Sequence, residues 1–339
     1  MFNFPKIEYF CLNLLLQTFD ACGVYWIKDF YMAQAHSDTS RLLTDLSPYI
    51  YGTTRLGDAA LPFPDRVKIA REAMDTGVWF HTSHTYGNAL EVLRTAFDQD
   101  RTKVPKLIVK IGWNTADELR GVIHQNTDPL GIQSIDIGQL CVGGQLAEEF
   151  AHGGACYETF SQLRNEGLVK RFVLEVFPWT SGTALNALRG GYMKGIVDGC
   201  IFYFNPLQRF ASNELWNLLN EMNEPIIALR TVAGGNVHRL RDVPGAAWKE
   251  YLQKRAVEVA PVFERSGIKH WAEFCVRFAF SVSQVRATVG AASRSENLHE
   301  FLSSSKNINP LPSDIRDELM RLQHRWSDEV DMHAEQWSM

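Results

Sequence analysis

The chain has no CxxC pair, no glycine-rich G-x-G-x-x-G turn, no apolar run of membrane-spanning length and no excess of either charge. Each absence removes a class of protein. Six cysteines (Cys11, Cys22, Cys141, Cys156, Cys200 and Cys275) are scattered through 339 residues. That spacing argues against a disulfide framework or a structural zinc site, and for reduced thiols in a cytoplasmic setting. Lys and Arg number 34 against 39 for Asp and Glu, a net charge of −5. Nothing in that balance draws a nucleic acid or an anionic membrane. Without a glycine-rich turn after a candidate strand, a doubly wound dinucleotide-binding sheet is disfavoured. No repeat, low-complexity tract or Pro/Gly linker divides the chain, so one domain is expected. The apolar, uncharged stretch Tyr9 to Phe19 is cut by Asp20, well short of the about 20 apolar residues a spanning helix needs. Lys6 alone precedes it and no small-x-small site follows, so it makes a poor signal peptide. Two readings of the first 31 residues remain: an accessory helix, or sequence upstream of a natural start at Met32.

What is present is the composition of a globular protein, 45% hydrophobic, 22% charged and 12% aromatic. From Tyr49 onward, eight short apolar runs alternate with segments of three- and four-residue apolar spacing. The runs are Tyr49 to Leu56, Val78 to Thr82, Leu107 to Gly112, Ile135 to Val142, Arg171 to Phe177, Cys200 to Asn205, Ile226 to Val232 and Val285 to Ala291. Helical spacing is clear in Ala89-Val92-Leu93-Ala96-Phe97 and Leu215-Leu218-Leu219-Met222. Eight strands alternating with helices predict an α/β fold, a (β/α)8 TIM barrel in a single domain. The expected divisions are an N-terminal extension over 1–47, the barrel over 48–305 and a C-terminal helical tail over 306–339.

Phe80-His81-Thr82-Ser83-His84-Thr85-Tyr86-Gly87 forms a polar tip after a short apolar strand, at the strand end where barrel enzymes keep their chemistry. This stretch resembles the aldo-keto reductase signature of phenylalanine, aspartate, threonine and alanine followed by tyrosine-glycine. Further motifs occur in the same order as in that family: Tyr51-Gly52-Thr53-Thr54-Arg55-Leu56-Gly57, Leu107 to Lys110, Ser134 to Leu140, Asn165 to Lys170, Ile226 to Gly235, and Val285 to Leu298. The resemblance spans roughly residues 48–305. It implies reduction of a small-molecule or sugar-like carbonyl with NADPH as cofactor, by a protein that is a monomer or a small homo-oligomer.

In that family a tyrosine gives the proton. A free phenol titrates near 10, and a neighbouring lysine ammonium lowers that value. An aspartate holds the lysine and a histidine orients the carbonyl. Tyr86 and Lys110 fill the first two roles, whereas His81 stands in place of the aspartate and Cys141 in place of the histidine. The candidate catalytic set is therefore Tyr86, Lys110, His81 and Cys141. For the cofactor, the resemblance assigns Gly52 and Thr53 on the first strand, Glu175 on the fifth, Thr231, Gly234 and Gly235 after the seventh, and Ser293, Arg294 and Asn297 at the adenosine phosphates. Glu175 and Ile201 replace the polar residues that bind the nicotinamide amide. No metal site is expected, because His81 and His84 have no third ligand in view. With no acid at 81, Lys110 is left without its usual anchor, and with no histidine at 141 the carbonyl is left without its usual donor. Two further readings stay open: a non-redox lyase or isomerase, and a non-catalytic partner protein that keeps the fold.

Overall fold

The computed structural model describes residues 43–112, 114–233, 249–306 and 308–327. Its strands are β1 (Tyr49–Gly52), β2 (Trp79–Thr82), β3 (Leu107–Ile111), β4 (Ile135–Leu140), β5 (Val169–Glu175), β6 (Cys200–Asn205), the short β7 (Gln208–Arg209), β8 (Ile226–Leu229) and β9 (Val285–Ala291). Their order is β5-β4-β3-β2-β1-β9-β8-β6, and β5 also pairs with β6. The sheet therefore closes on itself. All eight barrel strands run parallel, and only β7 folds back antiparallel on β6. The fold is the eight-stranded βα barrel expected, with each apolar run in the sequence at a strand. Several runs end earlier than their apolar residues do. β1 stops at Gly52 because a 3-10 turn, Thr54–Gly57, takes over, and β8 stops at Leu229 before Arg230, whose φ is +48°.

Side chains alternate between the two faces of a strand, which splits the apolar residues into two cores. Ile50, Trp79, Ile108, Ile137, Val173, Ile201 and Ile227 fill the barrel interior. The opposite parity, including Phe80, Val109, Phe172 and Phe202, packs under the helices. Helix Ala89–Gln99 buries Val92, Leu93, Ala96 and Phe97 as its spacing predicts. Helix Asn213–Met222 buries Leu215 and Leu219 but leaves Met222 45% exposed, since it sits at the helix end.

Residues 43–47 fall in the expected extension, yet they plug the floor of the barrel. Leu43 and Leu46 join the interior core. Trp79 donates its indole N–H to the Asp45 carbonyl, and the Asp45 carboxylate accepts from Arg171 at 2.7 and 3.0 Å and from Lys106 at 3.3 Å. At the other end, helix Ser313–Trp326 reaches the C-terminal end of β6. Gln323 Nε2 donates to the Asn205 carbonyl at 2.6 Å, and Arg255 donates to the Leu207 carbonyl at 3.0 Å. Part of the predicted tail is thus fastened at the end of the barrel where the strands' C-termini lie. The remaining residues of both terminal segments lie outside the described residues.

Candidate active site

The polar tip after β2 is tied down from two sides. Gly57 and Gly87 face each other where two loops cross. A Cβ on Gly57 would fall 1.8 Å from the Tyr86 carbonyl oxygen, and one on Gly87 would fall 2.5 Å from the Gly57 oxygen. Gly87 also has φ +52°, so a side chain is excluded on both counts. The Asn126 amide closes the other side. Its Oδ1 accepts from the His84 N–H at 2.7 Å, and its Nδ2 lies 3.2 Å from His84 Nδ1. His84 is thereby a loop anchor. These contacts hold Tyr86 over the mouth of the barrel, half-buried.

Beneath it, strand parity aims His81, Lys110, Gln139 and Glu175 inward from β2, β3, β4 and β5, with Cys141 just past β4. Lys110 Nζ lies 5.9 Å from the Tyr86 ring centroid, and the His81 and Tyr86 ring centroids are 6.1 Å apart. All four predicted catalytic residues therefore come together. What binds Lys110 is the difference. Its ammonium donates to Glu175 Oε1 at 3.0 Å, with Glu175 only 1% exposed. The Cys141 thiol donates to Glu175 Oε2 at 2.7 Å. Lys110 was expected to lack an anchor, and Glu175 was expected to face the cofactor. Instead, a carboxylate from β5 does what one from β2 would have done.

This placement sets the protonation of the site. Burial is the largest influence on Lys110 and opposes its charge, but Glu175, together with Tyr86, Cys141 and Tyr203, outweighs it and holds the ammonium well above its ordinary value. Burial, with help from Glu175, pushes the Cys141 thiol well up, so no thiolate nucleophile forms there. Burial likewise raises the Tyr86 phenol to about 12; Lys110 pulls it down and Glu175 pulls it back up. The lowered phenol anticipated from the Tyr-Lys pair is absent because burial outweighs the pull of Lys110, and Glu175 offsets part of that pull. Burial, then the Lys110 charge, draws His81 down to about 4. His81 is therefore neutral near pH 7 and neither repels Lys110 nor has a proton to spare. Its Nε2 lies 2.7 Å from Gln139 Oε1, a contact that the tautomer with its proton on Nε2 satisfies, because an amide oxygen only accepts.

The cofactor candidates divide. Gly52 ends β1 beside His81 and Ala291. Thr53 is buried, donating its hydroxyl to Thr82 Oγ1 at 2.8 Å and its N–H to the His81 carbonyl at 3.0 Å. Thr231 donates its hydroxyl to the Ala228 carbonyl at 2.9 Å and its N–H to Val289. Both threonines thus fasten strand ends. Ser293 and Asn297 are half-buried and Arg294 is exposed at the start of helix Ser295–Lys306. The Arg294 guanidinium makes no hydrogen bond or ion pair among the described residues. Next to it, Ser295 Oγ and His299 Nε2 both bind the Glu72 carboxylate. Gly234 and Gly235 lie outside the described residues. Gln139 and Tyr203 escaped the reading of the sequence. Tyr203 points inward from β6, close enough to Tyr86 and Lys110 to act on their charges, and stacks on Phe210 at 4.4 Å. Parity along Ile135, Ile137 and Gln139 marks a polar side chain on the inner face and was the available signal.

A family model for the aldo/keto reductases matches residues 48–321. The chain belongs to the aldo/keto reductase family. Among solved structures it is similar to aldo-keto reductase AKR11C1 from Bacillus halodurans (holo form), with 20% identity and a TM-score of 0.62 over 83% of this chain and 95% of that one. It is also similar to the thermostable aldo-keto reductase Tm1743 in complex with the inhibitor epalrestat, with 14% identity and a TM-score of 0.60 over 81% of this chain and 94% of that one. A comparison with curated proteins finds no match. Family membership makes the chain an oxidoreductase of the aldo-keto reductase type. No helix among the described residues is long and apolar enough to cross a membrane.

Proposed function

We propose that this family member is an NADPH-dependent reductase of a small-molecule or sugar-like carbonyl, with Tyr86 as the proton donor and Lys110 as the cation beside it. The observation that supports the reading is the group of Tyr86, Lys110 and Glu175 at the barrel mouth, which keeps a buried ammonium ionised under the tyrosine ring. The donor set fits the cofactor. Arg294 has a guanidinium free to pair with a 2′-phosphate by charge-assisted hydrogen bonds, with Ser293 beside it. A nicotinamide cofactor, when bound, supplies the hydride.

As the carbonyl π bond breaks, negative charge gathers on the oxygen, and Tyr86 transfers its proton there to give the alcohol. The phenolate left behind is stabilised by the Lys110 ammonium. Glu175 keeps that ammonium charged and in place, so it is a positioning residue. A phenol at about 12 stays protonated throughout the neutral range, which suits an acid.

The test is NADPH binding by fluorescence, together with NADPH consumption over a panel of aldehydes and sugars. Tyr86→Phe should lower kcat/KM by about 10²–10⁴-fold, the usual contribution of general acid catalysis, with NADPH affinity unchanged. A chain that does not bind NADPH, or a Tyr86→Phe variant as active as wild type, would overturn the reading. The non-redox enzyme and the partner protein would then be what is left.

A further inference from the structure

Gln139 stands out among the buried polar groups of the site. It is fully buried, and its Nε2 has no hydrogen-bond partner among the described residues. A buried amide left without a partner is costly, and such groups in folded proteins call for an explanation. Gln139 is not misplaced at random. Its Oε1 is fixed by the His81 ring at 2.7 Å, so its Nε2 is held in one orientation. In the sheet it pairs with Lys110 on β3, and on β4 it precedes Cys141 by two residues on the same face.

Two neighbouring neutral donors are engaged. The Cys141 S–H goes to Glu175. The one N–H of the neutral His81 ring goes to Gln139. Tyr86 has its proton to give. Of Cys141, His81 and Gln139, the amide of Gln139 is the neutral donor left without a partner among the described residues, and donation by His81 to its oxygen polarises it into a stronger one.

We propose that Gln139 orients the substrate's carbonyl oxygen, in the role left open by the cysteine at 141, and that His81 acts through it as a positioning residue. This rests on the carbonyl-reductase reading of the site. Both a ketone and an aldehyde offer the acceptor that Gln139 Nε2 lacks. The charge that develops on that oxygen strengthens the bond as the reaction proceeds, and preorganised donors of this kind are worth about 10²–10³ in kcat.

The test uses the full chain with NADP⁺, where no hydride is available, and benzaldehyde carrying ¹³C at the carbonyl as the probe. In the wild type the resonance of the bound carbonyl should move downfield. Gln139→Met should abolish most of that displacement, and His81→Ala should reduce it. The double variant His81→Leu with Gln139→Met removes both partners, leaves no orphan and so should keep the fold. It should match Gln139→Met without further loss. In turnover with NADPH, Gln139→Met should lower kcat by about 10²–10³-fold with little change in NADPH affinity. A downfield displacement in a wild type that fails to turn over supports Gln139 and rejects the reductase reading alone. No displacement in the wild type, or an equal one in the variants, overturns the proposal.

Discussion

Replacing Glu175 by glutamine keeps its shape and removes its charge. Lys110 and Glu175 are both buried, at 9% and 1% side-chain exposure. Removing one partner of such a pair leaves an uncompensated ion and costs about 3–5 kcal/mol, against about 0–1 for an exposed pair. For a large domain, 1 kcal/mol moves the midpoint by about 2–4 °C, so a fall of roughly 6–20 °C is expected. A pH signature separates this cause from lost packing. In the wild type, Glu175 holds Lys110 above its ordinary value of 10.5. In Glu175→Gln the largest of the raising influences is gone, and burial, larger than any of them, pulls the lysine down. A lysine with a lowered folded value binds its proton less readily folded than unfolded, so stability rises with pH up to the unfolded value. The gap between wild type and variant, measured by urea unfolding, should therefore narrow between about pH 7 and pH 10. Adding Lys110→Met should recover most of the loss, because neither charge is then left alone. A loss below about 1 kcal/mol, or a gap that does not change with pH, would refute the assignment of Glu175 as the anchor of Lys110.

Arg294→Ala should weaken NADPH by about 1.5–3 kcal/mol, the value of a charged hydrogen bond, and NADH little; equal losses in a fluorescence titration count against a 2′-phosphate contact. His81, held at about 4 against an ordinary 6.5, adds stability that is present above 6.5 and lost as pH falls from there through 4. That amounts to about 3 kcal/mol at roughly 1.4 kcal/mol per pH unit, and urea titrations of His81→Gln should lack this acid limb. His81→Asp with Cys141→His restores the family's usual residues, yet with Glu175 in place it should destabilise the protein and leave aldehyde turnover no higher. Adding Glu175→Ser should reverse both effects, and a gain in turnover before that third change would show that Glu175 is not the competing charge.

The barrel was legible because its cause is local. Period-two and period-3.6 apolar patterns are imposed by which face of each element is buried, and those patterns survive in Val92, Leu93, Ala96 and Phe97 as they do in Ile108 and Ile137. Tyr86 and Lys110 were legible for a similar reason, since each sits at a strand end within a run of recognisable neighbours. The Lys110–Glu175 pair was not. Its partners are 65 residues apart, and they meet only through the order of β3, β4 and β5 and the stagger between them. Matching single positions to a family pattern assigned Glu175 by its column and missed what stood across the barrel. The floor plug at Leu43, Asp45 and Leu46 was lost in the same way, because its partners Lys106 and Arg171 lie far along the chain.

Charge balance ties the unusual residues of the site together. A buried ammonium needs one anion, and once Glu175 supplies it from β5 a carboxylate at 81 becomes a second negative charge in the same enclosed space. Two carboxylates sharing one lysine disfavour each other's ionisation, so position 81 is better filled by a group that is neutral when buried. Histidine at about 4 meets that condition. The same reasoning covers position 141. A histidine beside Glu175 would be drawn toward its protonated form, and would then compete with Lys110 for the carboxylate. A thiol hydrogen-bonds Glu175 Oε2 and stays neutral. With no donor left at 141, the free amide at 139 is the nearest along the same face of β4. His81, Cys141, Glu175 and Gln139 are therefore consequences of one relocation, that of the carboxylate from β2 to β5, and substitutions among them should be strongly non-additive.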